Sequence, residues 1–512
     1  MDALRLDYDN TPYTSNSFSQ SAPGRMAATA HLFGLSPPEV SRARVLELGC
    51  AAGGNLIPFA SAHPAARVVG VDLSQVQIDQ GRSHVRELGL DNLELVAGDL
   101  AQLDLPSLGE FDFVIAHGLY SWVPPEIRDA LLATIRAVLA PDGVAYVSYN
   151  TYPGWKAKET LRDAMMLASG ASSTPQQKAG DARDMVDFLA AAAPADSVLA
   201  AVVAVAKDHA LGFADSYLLH DELATFNAPC YFYEMVGHAG AHGLSYLAEA
   251  HVETVFPTNF GPTVAEYLQA KCGGVQVLVE QYLDFAINRM FRESLLVHAD
   301  AAARIRHQPD SGRIQGLHVA AWVPPAAEPT SIDHVRQEFV VSDATLFTND
   351  PGVKAAMDAL SARWPWTLSR AELYDAVHAR LVSAGLTPGE RLARTLDDLM
   401  GVLIMQGAAS FRLDPIVPDA VDPERLRLDP AARRMAAITR APDGTARTFN
   451  AWHETHELTP VDALLVPLLD GTLDREALLA LIEGVDEDPA TLATQVDTLP
   501  QRLAEMKLVR LP

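Results

Sequence analysis

An acidic residue and a glycine-rich turn stand between an apolar stretch and a helical stretch in RVLELGCAAGGNLIPFA. Glu47 lies near the end of the apolar stretch, and Gly49 and Gly53 flank the turn. Glycines in a turn allow the backbone to approach a ligand closely, because no Cβ is in the way. A dinucleotide-binding loop would have its second glycine where this chain has Ala51. The spacing therefore favours a ligand without phosphate, whose amino-acid end contacts Glu47 and the loop amides around Cys50.

Two further acidic residues follow at the ends of the next two apolar runs. Asp72 closes the strand predicted within VVGVDLS, where a carboxylate can accept hydrogen bonds from both ribose hydroxyls, and Asp99 in VAGDL is placed to meet an adenine amino group. Three acidic residues at three successive strand ends predict S-adenosylmethionine as the cofactor. The residues predicted from this pattern to bind it are Glu47, Gly49, Cys50, Ala51, Gly53, Asn55, Asp72, Leu73, Gly98, Asp99, Leu100, His117 and Gly118.

Methyl transfer from a sulfonium is an in-line displacement, which requires positioning and a neutral nucleophile rather than a catalytic triad. For a lysine amine with a pKa near 10.4, deprotonation at pH 7 costs roughly 4–5 kcal/mol. Aromatic side chains could line a channel for such an acceptor by cation–π contact, although packing in the core is an equal alternative for each of them. Asn150 could hydrogen-bond the amine. His117 is a candidate proton acceptor, although a histidine at a strand end more often packs or caps. The predicted catalytic residues are Asn150, Tyr152, Trp155, His117, Tyr120 and Trp122.

Five apolar runs alternate with helical stretches from Arg44 to Asn150. This alternation predicts an α/β fold with a parallel sheet covered by helices on both faces. Between about 156 and 300 the strand signals nearly vanish, which predicts a helical second domain. The predicted division is a lead-in segment at 1–43, a Rossmann-like cofactor domain at 44–160, a helical insert at 161–300 and a winged-helix-like α+β region at 301–512.

The winged-helix interpretation rests on helices predicted at about 352–385 and 388–400, followed by GVLIMQGAASFRL. Its two apolar runs around Gly407 predict a hairpin. Winged helices often bind DNA, but no Lys/Arg cluster stands out here. Substrate contact, packing or a homodimer is the preferred role for this region.

The composition and net charge of the chain restrict the classes of partner that it is expected to bind. The chain has 39 Lys and Arg against 65 Asp and Glu, a net charge of −26, which disfavours nucleic acid and anionic membranes. No signal peptide or membrane-spanning stretch is recognised, and three widely spaced cysteines fit a reducing cytoplasm. The later histidines are interpreted as scattered without the spacing of a metal site, so no metal is predicted; they are His220, His238, His242, His251 and His298.

Several longer segments resemble class I methyltransferases that carry a methyltransferase regulatory domain, including the rickettsial protein lysine methyltransferases. The resemblance rests on YDNTPYTSNSFSQS, HGLYSWVP, SYNTYPGW, HDELATFNAPCYFYEMVGHAGAHGLSYLAEA and QYLDFAINRMFRESLL. It implies a regulatory domain at about 210–300 and a lead-in segment that closes over the cofactor, with Tyr13 and Gln20 as contacts. Ala22 departs from the histidine usual before Pro23 in such segments, which puts the acceptor or the rate in question.

The resemblance makes N-methylation of protein lysines the leading hypothesis for function. The alternatives are O- or N-methylation of a small molecule, and a non-catalytic cofactor sensor. A small enclosed cavity would favour the small molecule, while an open groove between domains would favour a protein. Because Glu47, Asp72 and Asp99 are all present, the sensor is the weakest of the three.

Overall fold

The computed structural model describes residue 9 and residues 14–172, 174–210, 218–327, 329–341, 344–417, 425–482 and 489–510. Tyr13, one of the predicted cofactor contacts, lies outside these residues. The lead-in enters helix α1 (Pro23–Leu32), which begins with the proline that its missing N–H favours at this position. Small side chains make α1 almost wholly buried, so it packs between the central sheet and the C-terminal region.

Within the described residues, seven strands form the central sheet. The first five are parallel neighbours in the order β3-β2-β1-β4-β5, with bounds β1 (Arg44–Leu48), β2 (Arg67–Asp72), β3 (Leu93–Ala97), β4 (Phe111–Ala116) and β5 (Leu139–Asn150). The connecting helices are α2 (Ile57–Ala62), α3 (Gln75–Leu88) and α4 (Pro125–Val138). The predicted α/β fold is therefore confirmed. Its parallel strands could be recognised because strands covered on both faces are continuous apolar runs.

Two strands from the segment predicted to be helical complete the sheet. They are β6 (Leu244–Glu249) and β7 (Phe291–His298); β7 lies between β5 and β6 and is antiparallel to both. The prediction of a helical domain at 161–300 is therefore wrong for these two segments, whose strands it missed. Its cause is the sequence of β7, where Arg292 and Glu293 interrupt the apolar pattern. Arg292 is nevertheless fully buried, because three carboxylates surround it, those of Glu249, Glu280 and Asp284.

The remainder of that segment is helical, as its Ala-, Leu- and Met-rich composition indicates. Three helices pack on one another around a small apolar cluster of their own; they are α5 (Gly154–Ser169), α6 (Pro175–Ala192) and α7 (Val198–Ala210). The next three helices are α8 (Phe232–Ala241), α9 (Pro262–Cys272) and α10 (Gln276–Ile287). Of these, α8 packs on β6. Among the described helices, none combines the length and the apolar character needed to cross a bilayer.

A smaller α+β unit follows the sheet. Its elements are α11 (Ser311–Ile314), β8 (His318–Ala320), β9 (Gln337–Val341), β10 (Ala344–Thr348), α12 (Pro351–Arg363), β11 (Leu368–Ser369), α13 (Arg370–Ser383), α14 (Leu392–Met405) and β12 (Ser410–Arg412). The hairpin predicted around Gly407 is wrong, because the first apolar run is the buried end of α14. A short apolar run suits a buried helix and a strand equally well. β12 pairs instead with the distant β8.

The last unit has its own apolar core. It consists of α15 (Pro430–Ile438), β13 (Ala446–Phe449), β14 (Thr455–Leu458), α16 (Pro460–Leu465), α17 (Arg475–Ile482), α18 (Pro489–Asp497) and α19 (Leu499–Glu505). β13 and β14 form an antiparallel hairpin, called the C-terminal hairpin below.

Candidate active site

A cavity of about 730 Å³ opens at the carboxyl ends of the parallel strands. In open α/β sheets, ligands bind at this edge where the strand order reverses, here between β1 and β4. The predicted site residues that line it are Glu47, Gly49, Cys50, Ala51, Asn55, Asp72, Leu73, Gly98, Asp99, Leu100, His117, Gly118, Trp122, Asn150 and Trp155. Those that do not line it are Gln20, Gly53, Tyr120 and Tyr152.

Glu47 is buried beneath the first loop of the site. Its Oε1 accepts a hydrogen bond from Asn55 Nδ2 at 2.8 Å, while its Oε2 has no hydrogen-bond partner among the described residues. Burial raises the pKa of Glu47 to about 8, against the lowering effect of the Asn55 hydrogen bond. A buried oxygen without a partner is unfavourable, and an ammonium group in the cavity would supply the missing donor. Glu47 therefore fits the amino-acid end of S-adenosylmethionine.

Asp72 ends β2 and holds the first loop in place. Its Oδ2 accepts a hydrogen bond from the Ala51 amide at 2.8 Å, and its Oδ1 accepts one from the Ser74 amide at 2.8 Å. Burial raises the pKa of Asp72, although both amides favour the ionised form. Each carboxylate oxygen can accept a second hydrogen bond, so a ribose diol fits here. Asp99, on the third loop, likewise accepts from the Ala101 amide at 2.9 Å.

The lid segment, residues 14–22, lies across the first loop. Ser15 Oγ accepts a hydrogen bond from the Gly54 amide at 2.8 Å. A Cβ on Gly54 would collide with the backbone of Ser15, so this approach requires glycine. Phe18 stacks on His117 with ring centroids 3.8 Å apart. The lid segment therefore covers the cofactor loop and one wall of the cavity.

The C-terminal hairpin also reaches the site. His453 Nε2 lies 3.0 Å from Asn55 Oδ1, and since that oxygen is an acceptor, His453 donates. Ser17 of the lid segment donates its amide proton to Thr455 Oγ1 at 2.8 Å. Sequence reasoning missed both contacts, because their partners are 398 and 438 positions apart.

His117 has its tautomer set by a buried chain of hydrogen bonds. Its Nδ1 lies 2.9 Å from the hydroxyl of Tyr146, which lies 2.8 Å from Glu293 Oε1. Although burial alone would raise it, hydrogen bonds from His251 and Gln20 hold the pKa of Glu293 below its ordinary value. The ionised carboxylate only accepts, so Tyr146 donates to Glu293 and His117 Nδ1–H donates to Tyr146.

The other ring nitrogen of His117 consequently carries a lone pair. Burial lowers the pKa of His117 to about 4, so the ring is neutral at pH 7. Neutral imidazole with its proton on Nδ1 offers Nε2 as a hydrogen-bond acceptor. His117 can thus accept a hydrogen bond from a neutral amine in the cavity that it lines.

The far wall of the cavity is aromatic and also holds a lysine. Trp122 and Trp155 meet edge to face, with ring centroids 6.3 Å apart. Lys158 Nζ lies 4.6 Å from the Trp155 ring centroid and 2.5 Å from Glu222 Oε1. Asn150, the last residue of β5, lines the same end of the cavity. This wall combines the cation–π surface and the amide that an amine acceptor requires.

Two predicted catalytic tyrosines have partners elsewhere. The Tyr120 hydroxyl lies 2.7 Å from His238 Nδ1, and burial raises its pKa above the ordinary range. The Tyr152 hydroxyl donates to Glu159 Oε1 at 2.5 Å. Gln20, predicted as a cofactor contact, donates to Glu293 at 2.7 Å. These side chains support neighbouring elements, and sequence position alone could not distinguish them from residues of the cavity wall.

Three family models match the chain. Residues 45–143 match a methyltransferase domain, residues 214–298 a predicted methyltransferase regulatory domain, and residues 429–506 the PKMT C-terminal winged helix domain. The fold, the loop after β1 and these matches define a class I S-adenosylmethionine-dependent methyltransferase.

Proteins from Rickettsia are similar to this chain, two of them over most of its length. Uncharacterized protein RP789 of Rickettsia prowazekii is 32% identical over 509 residues, which cover 95% of this chain and 88% of that protein. Uncharacterized protein RP028 of the same organism is 34% identical over 236 residues, 46% of this chain and 94% of that protein. The structure of PKMT2 from Rickettsia typhi in complex with AdoHcy has a TM-score of 0.85 and 26% identity, covering 97% of this chain and 99% of that one. The chain belongs to this family of methyltransferases with a regulatory domain and a C-terminal winged helix.

Proposed function

We propose that the protein transfers the methyl group of S-adenosylmethionine to lysine side chains of a protein substrate. The observation that carries the proposal is the aromatic wall, where a lysine ammonium, that of Lys158, already lies 4.6 Å from the Trp155 ring centroid. Cation–π contacts with tryptophan contribute about 0.5–2 kcal/mol, depending on how far the cation is desolvated. The similarity to PKMT2 of Rickettsia typhi, which extends over 97% of this chain, supports the same class of acceptor.

The residues around the cavity would hold the two reactants in line. When bound, the cofactor supplies an electrophilic methyl group on a sulfonium. Glu47 and Asp72 would hold its amino-acid and ribose ends, and Phe18 would exclude water from the side that the lid segment covers. Fixing both reactants in one geometry replaces the strong base that this displacement does not need.

The acceptor amine has to be neutral to attack. Asn150 Nδ2 donates to Asn227 Oδ1 at 3.2 Å, and Asn150 Oδ1 is the acceptor that an amine N–H requires. His117 Nε2 offers a second acceptor, but with a pKa of about 4 it is too weak a base to hold a proton from lysine. Burial of the amine in the cavity would therefore have to lower its pKa, against the cation–π contact that favours the ammonium, to reduce the roughly 4–5 kcal/mol that deprotonation requires at pH 7.

Contacts from the C-terminal region favour a protein acceptor over a small molecule. His453 and Thr455 bring the C-terminal hairpin against the cofactor loop and the lid segment. The hairpin belongs to the stretch that matches the PKMT winged helix domain. A region of this size beside the cavity offers surface for a polypeptide that a metabolite would not need.

Methyl-labelled S-adenosylmethionine tests the proposal directly. The purified protein and its Asp72→Ala variant are incubated with a whole-cell lysate, and label is counted separately in macromolecules and in small molecules. Label on protein, mapped to lysine by mass spectrometry and lost in the variant, is the expected result. Label confined to small molecules, or mapped to residues other than lysine, would contradict the proposal.

Other features stay predictions from the sequence: a cytoplasmic location, a homodimer and the lack of a nucleic-acid partner. The described cysteines, Cys50, Cys230 and Cys272, are free thiols, which is consistent with a reducing compartment. Cell fractionation would check the cytoplasmic location, and gel filtration would check the homodimer.

A further inference from the structure

Two histidines and an aspartate converge on the surface between α4 and α8. His238 Nε2 lies 2.8 Å from Asp129 Oδ1, and His242 Nε2 lies 3.1 Å from the same oxygen. The interpretation of these histidines as scattered was wrong, because His238 and His242 are four residues apart and share one side of the helix end. The three potential ligand atoms all lie within 4.8 Å of one another.

We propose that Asp129, His238 and His242 bind a divalent transition-metal ion of the zinc class. Two imidazole nitrogens and one carboxylate oxygen suit zinc and its neighbours, whereas magnesium and calcium prefer oxygen ligands alone. A tetrahedral ion with bonds of about 2.0–2.1 Å requires ligand atoms roughly 3.3 Å apart. The two measured separations are 2.8 and 3.1 Å, so small side-chain rotations would make room for the ion.

The exposure of the cluster suits an ion that enters from solvent. The side chain of Asp129 is 64% exposed, and those of the two histidines are 26% and 23% exposed. Three protein ligands leave a fourth position for water, as in other three-ligand zinc sites.

Tyr120 supplies the outer contact that metal-bound histidines usually have. Its hydroxyl lies 2.7 Å from His238 Nδ1, the ring nitrogen that faces away from Asp129. With a metal on Nε2, the remaining proton of His238 lies on Nδ1 and is donated to Tyr120, which fixes the ring. Tyr120 also packs edge to face on Tyr149 of β5, so the site would connect α8 of the regulatory-domain segment to the sheet.

Without a metal, the same cluster is held by hydrogen bonds. Each histidine then donates Nε2–H to Asp129 and His238 Nδ1 accepts from Tyr120. Metal binding and this arrangement predict opposite tautomers of His238, because only the metal-bound ring has its proton on Nδ1. The two possibilities can therefore be distinguished by experiment.

Calorimetric titration of the full chain with Zn²⁺, after removal of any purification tag, tests the proposal. The wild type should bind one ion per chain, and Mg²⁺ should produce no binding. Co²⁺ should give the visible absorption of a tetrahedral site. In ¹⁵N-histidine spectra, Zn²⁺ should move the His238 proton from Nε2 to Nδ1. Absence of saturable Zn²⁺ binding in the wild type would overturn the proposal.

Variants assign the ligands. His242→Gln and Asp129→Asn should each lower the Zn²⁺ affinity by more than about 100-fold, and Tyr120→Phe by about 10–100-fold, the effect typical of an outer contact. The control is His378→Gln, an exposed histidine on α13 far along the chain, which should leave the titration unchanged. Circular dichroism confirms that each variant is folded. Equal Zn²⁺ affinity in wild type, His242→Gln and Asp129→Asn would place the ion elsewhere and refute the assignment.

Discussion

Replacing Glu47 with glutamine would separate the charge of this buried side chain from its shape. Glutamine can still accept the Asn55 hydrogen bond through its Oε1, but it cannot ionise. In the cofactor-free wild type, burial keeps Glu47 protonated up to about pH 8. Binding of the cofactor ammonium to the free Oε2 requires the ionised form, so the wild type should release a proton when it binds.

The magnitude follows from the pKa. Ionising Glu47 costs about 1.4 kcal/mol for each pH unit below its pKa. With a pKa of about 8, this cost reduces the affinity for the cofactor about tenfold at about pH 7 and about a hundredfold at about pH 6. Affinity for S-adenosylhomocysteine should therefore rise about tenfold per pH unit between about pH 6 and about pH 7.5 in the wild type, and stay flat in Glu47→Gln. At pH 7.5 the variant should bind about 10–100-fold more weakly, because it lacks the charge-assisted hydrogen bond.

The stability of the cofactor-free protein should change in the opposite sense. The folded chain holds a proton between pH 4.5 and about 8 that the unfolded chain has released, so its stability falls as pH rises through this range. The full change in the pKa of Glu47 corresponds to about 5 kcal/mol in the free energy of unfolding. Because glutamine cannot ionise, Glu47→Gln should be more stable than the wild type by about this amount at about pH 8 and above.

Calorimetry in buffers of different ionisation enthalpy measures the proton release, and urea unfolding at several pH values measures the stability. A wild-type affinity that changes less than about threefold between about pH 6 and about pH 7.5, or an equal pH slope in the variant, would refute the reasoning.

Four further outcomes are expected. Asp72→Ala should abolish cofactor binding by calorimetry, since Asp72 also holds the Ala51 amide; retained affinity would contradict its placement at the ribose. Asn150→Ala should keep cofactor affinity while lowering turnover about 10–100-fold, and an unchanged rate would remove Asn150 from catalysis. Arg292→Met should reduce the free energy of unfolding by about 3–5 kcal/mol in urea, because three carboxylates lose their buried partner; a loss below about 1 kcal/mol would mean that they are protonated. His453→Ala should weaken cofactor binding about 2- to 10-fold through Asn55, and equal affinity would show that the hairpin contact is not coupled to the site.

The parallel half of the sheet could be predicted because its strands are apolar runs bounded by turns. β7 could not, since Arg292 and Glu293 place charges where the pattern of a buried strand requires apolar residues. Those charges are compatible with burial only because Glu249, Glu280 and Asp284 come from other elements. The sequence pattern of β7 alone cannot predict ion pairs with residues of other elements. The hairpin predicted around Gly407 is wrong for a different reason. The last turns of α14 are apolar on every side, so that they resemble a buried strand.

The cofactor loops were predictable for the same local reason. Glu47, Asp72 and Asp99 each lie at or just beyond the carboxyl end of a strand within the first hundred residues, and the fold brings these strand ends together at one edge. The tautomer of His117 was not predictable, because Tyr146 lies in the middle of β5 and resembles any core tyrosine. The contact between His453 and Asn55 left no signal in the sequence at all.

That last contact has a thermodynamic consequence. Asn55 donates to Glu47 with its amide nitrogen and accepts from His453 with its oxygen, so one side chain joins the cofactor loop to the C-terminal hairpin. Two binding events that share such a junction obey reciprocity: if the cofactor strengthens the docking of a polypeptide on the hairpin, that polypeptide strengthens cofactor binding by the same factor. The winged helix would then act as a receptor whose occupancy sets how much cofactor the enzyme holds.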